Sequence, residues 1–126
     1  MKKEEVSTKQ APGAIGPYSQ AVISGDLVYC SGQIGLNPES GEMAEGLEAQ
    51  AEQVFANVRA VLQAAGCTMD DVIKTTVFMK DMNDFTRVNE LYAKQFQEPY
   101  PARSAVEAAR LPKDALVEVE VIARKQ

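Results

Sequence analysis

The chain has 126 residues, 25% of them charged and 45% hydrophobic, with a formal net charge of −5. That length suits one domain with a real core, and the acidic balance, with basic residues paired only at Lys2-Lys3 and Arg124-Lys125, argues against nucleic acid as the main partner. No apolar run is long enough to span a bilayer, and histidine is absent, which excludes Ser-His-Asp and Cys-His catalysis and the usual zinc ligands.

The first residues, Met1-Lys2-Lys3-Glu4-Glu5, lead into no apolar stretch and do not read as a signal peptide, so a cytoplasmic location is expected. Residues 3–8 are expected to form a short strand around Val6. Ala11 to Pro17 is a loop stiffened by two prolines and two glycines. It lacks the lysine and following helix of a phosphate-binding loop. Tyr18 stands at its mouth, placed either to pack or to cover a pocket. Tyr18 to Ile23 reads as a strand, Ser24-Gly25-Asp26 as a turn and Leu27 to Gln33 as the hairpin partner. Ser31-Gly32-Gln33 closes that strand. A glycine there suits a β-bulge, or the close approach of a backbone or ligand. Gly35 to Gly46 is a polar loop, turning at Asn37-Pro38-Glu39-Ser40-Gly41.

Leu47 to Ala65 carries apolar residues on one helical stripe and stops at Gly66. Thr68-Met69-Asp70-Asp71 reads as a short capped turn. Ile73 to Lys80 is a strand. Asn83 is expected to cap a second helix whose inner face holds Phe85, Val88, Tyr92 and Phe96. Asn89 is offset from that stripe, either exposed or aimed at a site. Pro99 and Pro101 end this helix and lead into a strand through Arg103. The last strand alternates Val117, Val119 and Val121 with Glu118 and Glu120. Cys30 and Cys67 form no CxxC pair and read as free thiols, Cys30 as a small core residue.

After the short strand of residues 3–8 the order is β-β-α-β-α-β-β, an α+β mixed sheet with two helices on one face. The other face is left bare, and a half-apolar bare face on so small a domain implies a homo-oligomer with sites at subunit junctions. If the last two strands form a hairpin near Arg110-Leu111, Arg103 comes opposite Glu118, and both lie with Glu120 on the bare face. A guanidinium and a carboxylate on neighbouring strands suit a small anion and a water to be activated. A surface ion pair is the alternative use of the same residues.

Five segments carry a family resemblance. They are Ala14-Ile15-Gly16-Pro17-Tyr18-Ser19-Gln20-Ala21, Ser31-Gly32-Gln33-Ile34, Val72-Ile73-Lys74-Thr75-Thr76-Val77-Phe78, Asp84-Phe85 with Val88-Asn89, and Pro101-Ala102-Arg103-Ser104-Ala105-Val106-Glu107 followed by Glu118-Val119-Glu120. In order and in combination they resemble the Rid/YjgF family, most closely its RidA branch of enamine/imine deaminases. The resemblance runs from about Ala11 to Arg124. It implies a chorismate-mutase-like fold assembled as a homotrimer, with three sites in clefts between subunits. It implies hydrolysis of 2-iminobutanoate and 2-iminopropanoate to 2-keto acids and ammonia, with no cofactor. These imines derive from enamines released by pyridoxal-phosphate-dependent threonine and serine dehydratases. By the same resemblance Arg103 binds the substrate carboxylate, Glu118 holds or activates the attacking water, and Tyr18 closes over the site. Ser31, Gly32 and Asn89 line the pocket, and Glu120 serves packing or an interface ion pair. Many relatives carry a cysteine where this chain has Ala105; the thiol is lost here, while a backbone carbonyl nearby can still meet the imine nitrogen. The competing expectation is a regulatory module that binds a small keto acid or another protein without catalysis.

Overall fold

The computed structural model describes residues 2–126. Six strands and two helices follow in the order β1 (Glu4–Val6), β2 (Ala21–Ser24), β3 (Leu27–Gln33), α1 (Leu47–Ala64), β4 (Val72–Met79), α2 (Phe85–Ala93), β5 (Ala102–Glu107) and β6 (Val117–Arg124). They form the expected α+β arrangement: one mixed sheet in the order β1-β2-β3-β6-β4-β5, with both helices on one face. No helix among the described residues is long and apolar enough to cross a membrane.

The core follows from two periodicities. Along β6 every second residue, Val117, Val119, Val121 and Ala123, is buried beneath the helices. Along α1 the buried stripe is Ala51, Val54, Phe55, Val58, Val61 and Leu62. Phe55, Tyr92 and Phe96 complete it edge to face, with Phe55 6.1 Å from Tyr92 and 6.2 Å from Phe96. Phe96 does this from beyond the end of α2, not from within the helix. Gly66, at φ 85°, supplies the left-handed residue that stops α1.

Local signals and structure agree at most boundaries. Asn37 Oδ1 accepts from the amides of Glu39 and Ser40 in the predicted polar turn. Asp71 Oδ2 accepts from the Thr68 amide at 2.8 Å in the predicted capped turn. The first strand shortens to Glu4–Val6, and two further details differ. The second strand begins at Ala21, because Tyr18, Ser19 and Gln20 belong to the loop. The turn before α2 is capped by Asp81, whose carboxylate accepts from the Asn83 amide at 2.9 Å, and not by Asn83.

The larger correction concerns the last two strands, which do not pair with each other. β5 runs parallel to β4 at the sheet edge, with Arg103 beside Thr75. β6 is inserted between β3 and β4, antiparallel to both, with Glu118 beside Phe78 and Glu120 beside Thr76. Leu111 and Ala115 are buried on either side of the Pro112–Asp114 turn. That corner carries the chain across β4 rather than back along β5. Facing residues on paired strands share a side of the sheet. Arg103 therefore lies with buried Thr75 on the helix side, and Glu118 lies with Phe78 on the open side. The expected single stripe of Arg103, Glu118 and Glu120 does not exist; only the two glutamates share the open face.

Candidate functional site

Glu118 is half-buried at the edge of a cavity of about 530 Å³. Tyr18, Ser31, Gly32 and Lys113 also line it. The polar groups converge because β3 bulges: its register against β6 slips between Cys30 and Gln33. At the bulge Gly32 faces Glu118. A Cβ built there would collide with Glu118 Oε2 and lie 3.0 Å from its carboxyl carbon. The glycine thus sits in the expected bulge, and the group that approaches it closely is the Glu118 side chain, not a backbone or a ligand.

The loop bearing Tyr18 is fastened from beneath by Gln20, which is buried. Its Oε1 accepts from the Thr8 amide at 2.7 Å, and its Nε2 donates to the carbonyls of Pro12 at 2.7 Å and Thr8 at 3.1 Å. Ser31 Oγ donates to the Ser19 carbonyl at 2.6 Å, and the Ser31 amide to that of Gln20. Tyr18 is left half-exposed at the rim. Sequence reasoning missed Gln20; the signal available was one amide side chain beside a Pro/Gly-rich loop whose backbone groups need partners. Gln20→Ala is expected to lower stability by about 2–3 kcal/mol, since several loop groups lose their partner at once. Chemical denaturation measures this, and an unchanged midpoint would show the loop to be held otherwise.

Burial pushes the Glu118 carboxyl above its ordinary range, and the neighbouring Glu120 adds to the rise. Ionising Glu118 therefore opposes folding, so this contribution to stability is present at acid pH and lost as pH rises through the raised value. Both cysteines are free and buried. Burial, then nearby Cys67, raises the Cys30 thiol to about 12, and burial and Asp71 push the Cys67 thiol up.

Arg103 belongs to a second concavity, of about 440 Å³, with Asn89, Tyr92 and Tyr100. Its guanidinium lies 4.8 Å from the Tyr92 ring centroid and 5.4 Å from that of Phe85. Its Nη1 donates to Asn89 Oδ1 at 2.7 Å. Tyr92 is held in turn by a buried hydrogen bond of 2.9 Å between its hydroxyl and Thr75 Oγ1. No carboxylate among the described residues pairs with Arg103. The result is a stacked, oriented fork with donors to spare, suited to a carboxylate. Asn89 turns toward Arg103, and Tyr92 is both core and platform. Ala105, on the same side of β5, packs against the core.

The candidate residues thus fall into two groups, Tyr18, Ser31, Gly32 and Glu118 in one and Arg103 and Asn89 in the other. Arg103 and Glu118 are two strands and three residues apart, roughly 14 Å along and across the sheet, and on opposite faces. Within one copy they cannot hold one small molecule.

The fold is an α+β sheet with an unpaired guanidinium at one edge and a half-buried carboxylate on the open face. The chain belongs to the family described as Endoribonuclease L-PSP, whose profile matches residues 8–125, in agreement with the Rid/YjgF resemblance. It is 51% identical to a RutC family protein of Pyrococcus horikoshii, over 98% of this chain and 99% of that protein. It is equally 51% identical to the 2-iminobutanoate/2-iminopropanoate deaminase of Salmonella typhimurium, over 94% of each. Among solved structures, Escherichia coli TdcF with bound serine superposes with a TM-score of 0.92 at 44% identity, covering 98% of this chain and 99% of that one.

Proposed function

We propose that this protein hydrolyses 2-imino acids, 2-iminobutanoate and 2-iminopropanoate, to 2-keto acids and ammonia, in clefts that pair Arg103 of one copy with Glu118 of the next around a homotrimer. The observation that carries the reading is the pair of incomplete half-sites: an unpaired guanidinium fork and, on the other face, a carboxylate over a cavity. Relatives named as imine deaminases at about half identity support the chemistry. The relative solved with serine supports a ligand of that size.

Arg103 takes the substrate carboxylate through its free donors, stacked on Tyr92 and steered by Asn89. C2 then lies toward the other copy's cavity. Glu118, ionised, accepts a proton from a water as its oxygen bonds to C2 and the C=N π electrons move to nitrogen. Glu118 passes that proton to the nitrogen, giving the carbinolamine, then takes the hydroxyl proton and delivers it to the amine as the C–N bond breaks, so that ammonia leaves and the hydroxyl oxygen becomes the keto oxygen. Tyr18 covers the cleft, and Ser31 holds its loop. An imine already reacts with water, so positioning and one base suffice. The imine would be supplied by enamine-releasing dehydratases, and the activity would limit damage by a reactive metabolite in the cytoplasm. The ribonuclease in the family's description finds less support: the chain has no histidine and a net charge of −5.

The test couples a threonine dehydratase to this protein in a buffer where free imine hydrolysis is slow, with Arg103→Ala alongside. Faster 2-ketobutyrate release, lost in the variant, is expected. No acceleration by a folded trimer would move the function to binding. The pH profile tests the base. The acidic limb of kcat/KM is expected above the ordinary glutamate value of about 4.3, because Glu118 must lose its proton to act. Glu120→Gln removes the like charge and should move that limb to lower pH. A wild-type limb at or below the ordinary glutamate value would exclude Glu118 as the titrating group.

A further inference from the structure

We propose that Lys113 is a substrate-positioning residue, a second cation that draws the imino acid's carboxylate into the Glu118 half of the cleft before Arg103 clamps it; this rests on the deaminase reading above. Three observations meet at this residue. Lys113 is the only cationic side chain among the described residues lining the Glu118 cavity. No ion pair or side-chain hydrogen bond among the described residues engages its ammonium. It also sits in a backbone conformation that a lysine adopts only when its surroundings impose it, with φ 54° and ψ 29°, followed by Asp114 at φ 56°.

The surroundings do impose it. Leu111 and Ala115 are buried on either side of the turn. The Leu116 amide donates to Gln50 Oε1 at 2.8 Å, and Arg110 Nε to Asp114 Oδ1 at 3.1 Å. Two successive left-handed residues turn position 113 toward the cavity. Asparagine or glycine would occupy this backbone with less strain, so the lysine side chain is not explained by the turn.

Charge gives the side chain a task. The substrate is an anion, the chain carries −5, and the open face holds Glu118 and Glu120 together. An anion approaching that face meets repulsion where the chemistry needs a carboxylate base. A free ammonium at the cavity wall offsets it locally and raises the substrate concentration there. Lys113 would not touch the reacting atoms, so its effect belongs in KM and in salt dependence, not in the chemical step.

The experiment compares Lys113→Asn and Lys113→Arg with wild type on 2-iminobutanoate, between low salt and about 0.5 M, where screening is nearly complete. Asparagine keeps the left-handed turn, so its Tm should equal or exceed that of wild type. KM is expected to rise about three- to fivefold at low salt, the scale of an exposed charge contact, with kcat within about twofold and a flatter fall of kcat/KM with salt. Arginine should restore wild-type behaviour. Unchanged KM and salt dependence in Lys113→Asn would overturn the proposal, as would a loss confined to kcat. If wild type does not turn over the imine, the deaminase reading fails. The proposal then stands or falls on 2-ketobutyrate binding by calorimetry: weaker binding by Lys113→Asn at low salt supports it, and an unchanged Kd overturns it.

Discussion

Arg103→Ala is expected to lower kcat/KM for 2-iminobutanoate by about 10²- to 10³-fold, the cost of removing a charge-assisted fork from a binding site. The protein itself should stand. Arg103 is exposed, at the edge strand, and pairs with no carboxylate among the described residues. What folding loses is the stack on Tyr92 and Phe85 and one hydrogen bond to Asn89. That is about 1 kcal/mol, and Tm should stay within about 5 °C of wild type. Arg103→Lys separates charge from shape. An ammonium cannot lie flat on Tyr92 while donating both to Asn89 and to a carboxylate in a parallel fork, so most of the loss should persist. Full activity in either variant would remove Arg103 from the site. Retained binding of a protein partner by Arg103→Ala, without turnover in wild type, would favour the regulatory module instead.

Glu118→Gln is expected to reduce kcat by about 10²- to 10⁴-fold, the range that a positioned general base supplies. Glutamine matches the shape over Gly32 and removes only the basic oxygen, so 2-ketobutyrate should still bind; failure to bind it would assign Glu118 a structural role. The decisive form of this prediction mixes the two inactive chains. Denatured Arg103→Ala and Glu118→Gln chains, combined equally and refolded, should regain about one quarter of wild-type activity. In a closed ring a cleft works only where its Arg103 comes from the Glu118→Gln chain and its Glu118 from the Arg103→Ala chain, one junction in four. Each variant refolded alone should stay inactive. A mixture as inactive as its parts would contradict the shared cleft. The separation within one copy makes this test sharp: with the two residues on opposite faces of the sheet and two strands apart, no modest movement of one chain unites them.

Much of the candidate site's layout was legible in the residues themselves. The alternation through β6 placed Glu118 and Glu120 together on one face, as found. The offset of Asn89 from the apolar stripe of α2 marked a side chain free to face a ligand, and it meets Arg103. Ser31-Gly32 read as a bulge or as room for a backbone or ligand; it is the bulge, and a side chain, Glu118, takes the room. Gln20 and Lys113 were not legible. One acts through hydrogen bonds to a loop, the other through a left-handed backbone, and neither leaves a periodic trace.

What the sequence by itself determined is local: where helices and strands run, which face of each is apolar, and which segments carry the family's motifs. These depend on spacing over a few residues, on caps, and on turn chemistry, all of which a single stretch of chain contains. The tertiary structure alone decided strand order. A hairpin of β5 and β6 satisfies the same alternation as insertion of β6 between β3 and β4, because period-two patterning fixes the face a residue takes on its own strand and says nothing of the neighbour. Burial of Leu111 and Ala115 at the Pro112 corner, and of Val117, Val119, Val121 and Ala123 beneath the helices, selects the insertion. That choice puts Arg103 on the helix side and Glu118 on the open side, and so separates two residues that a hairpin would have set face to face.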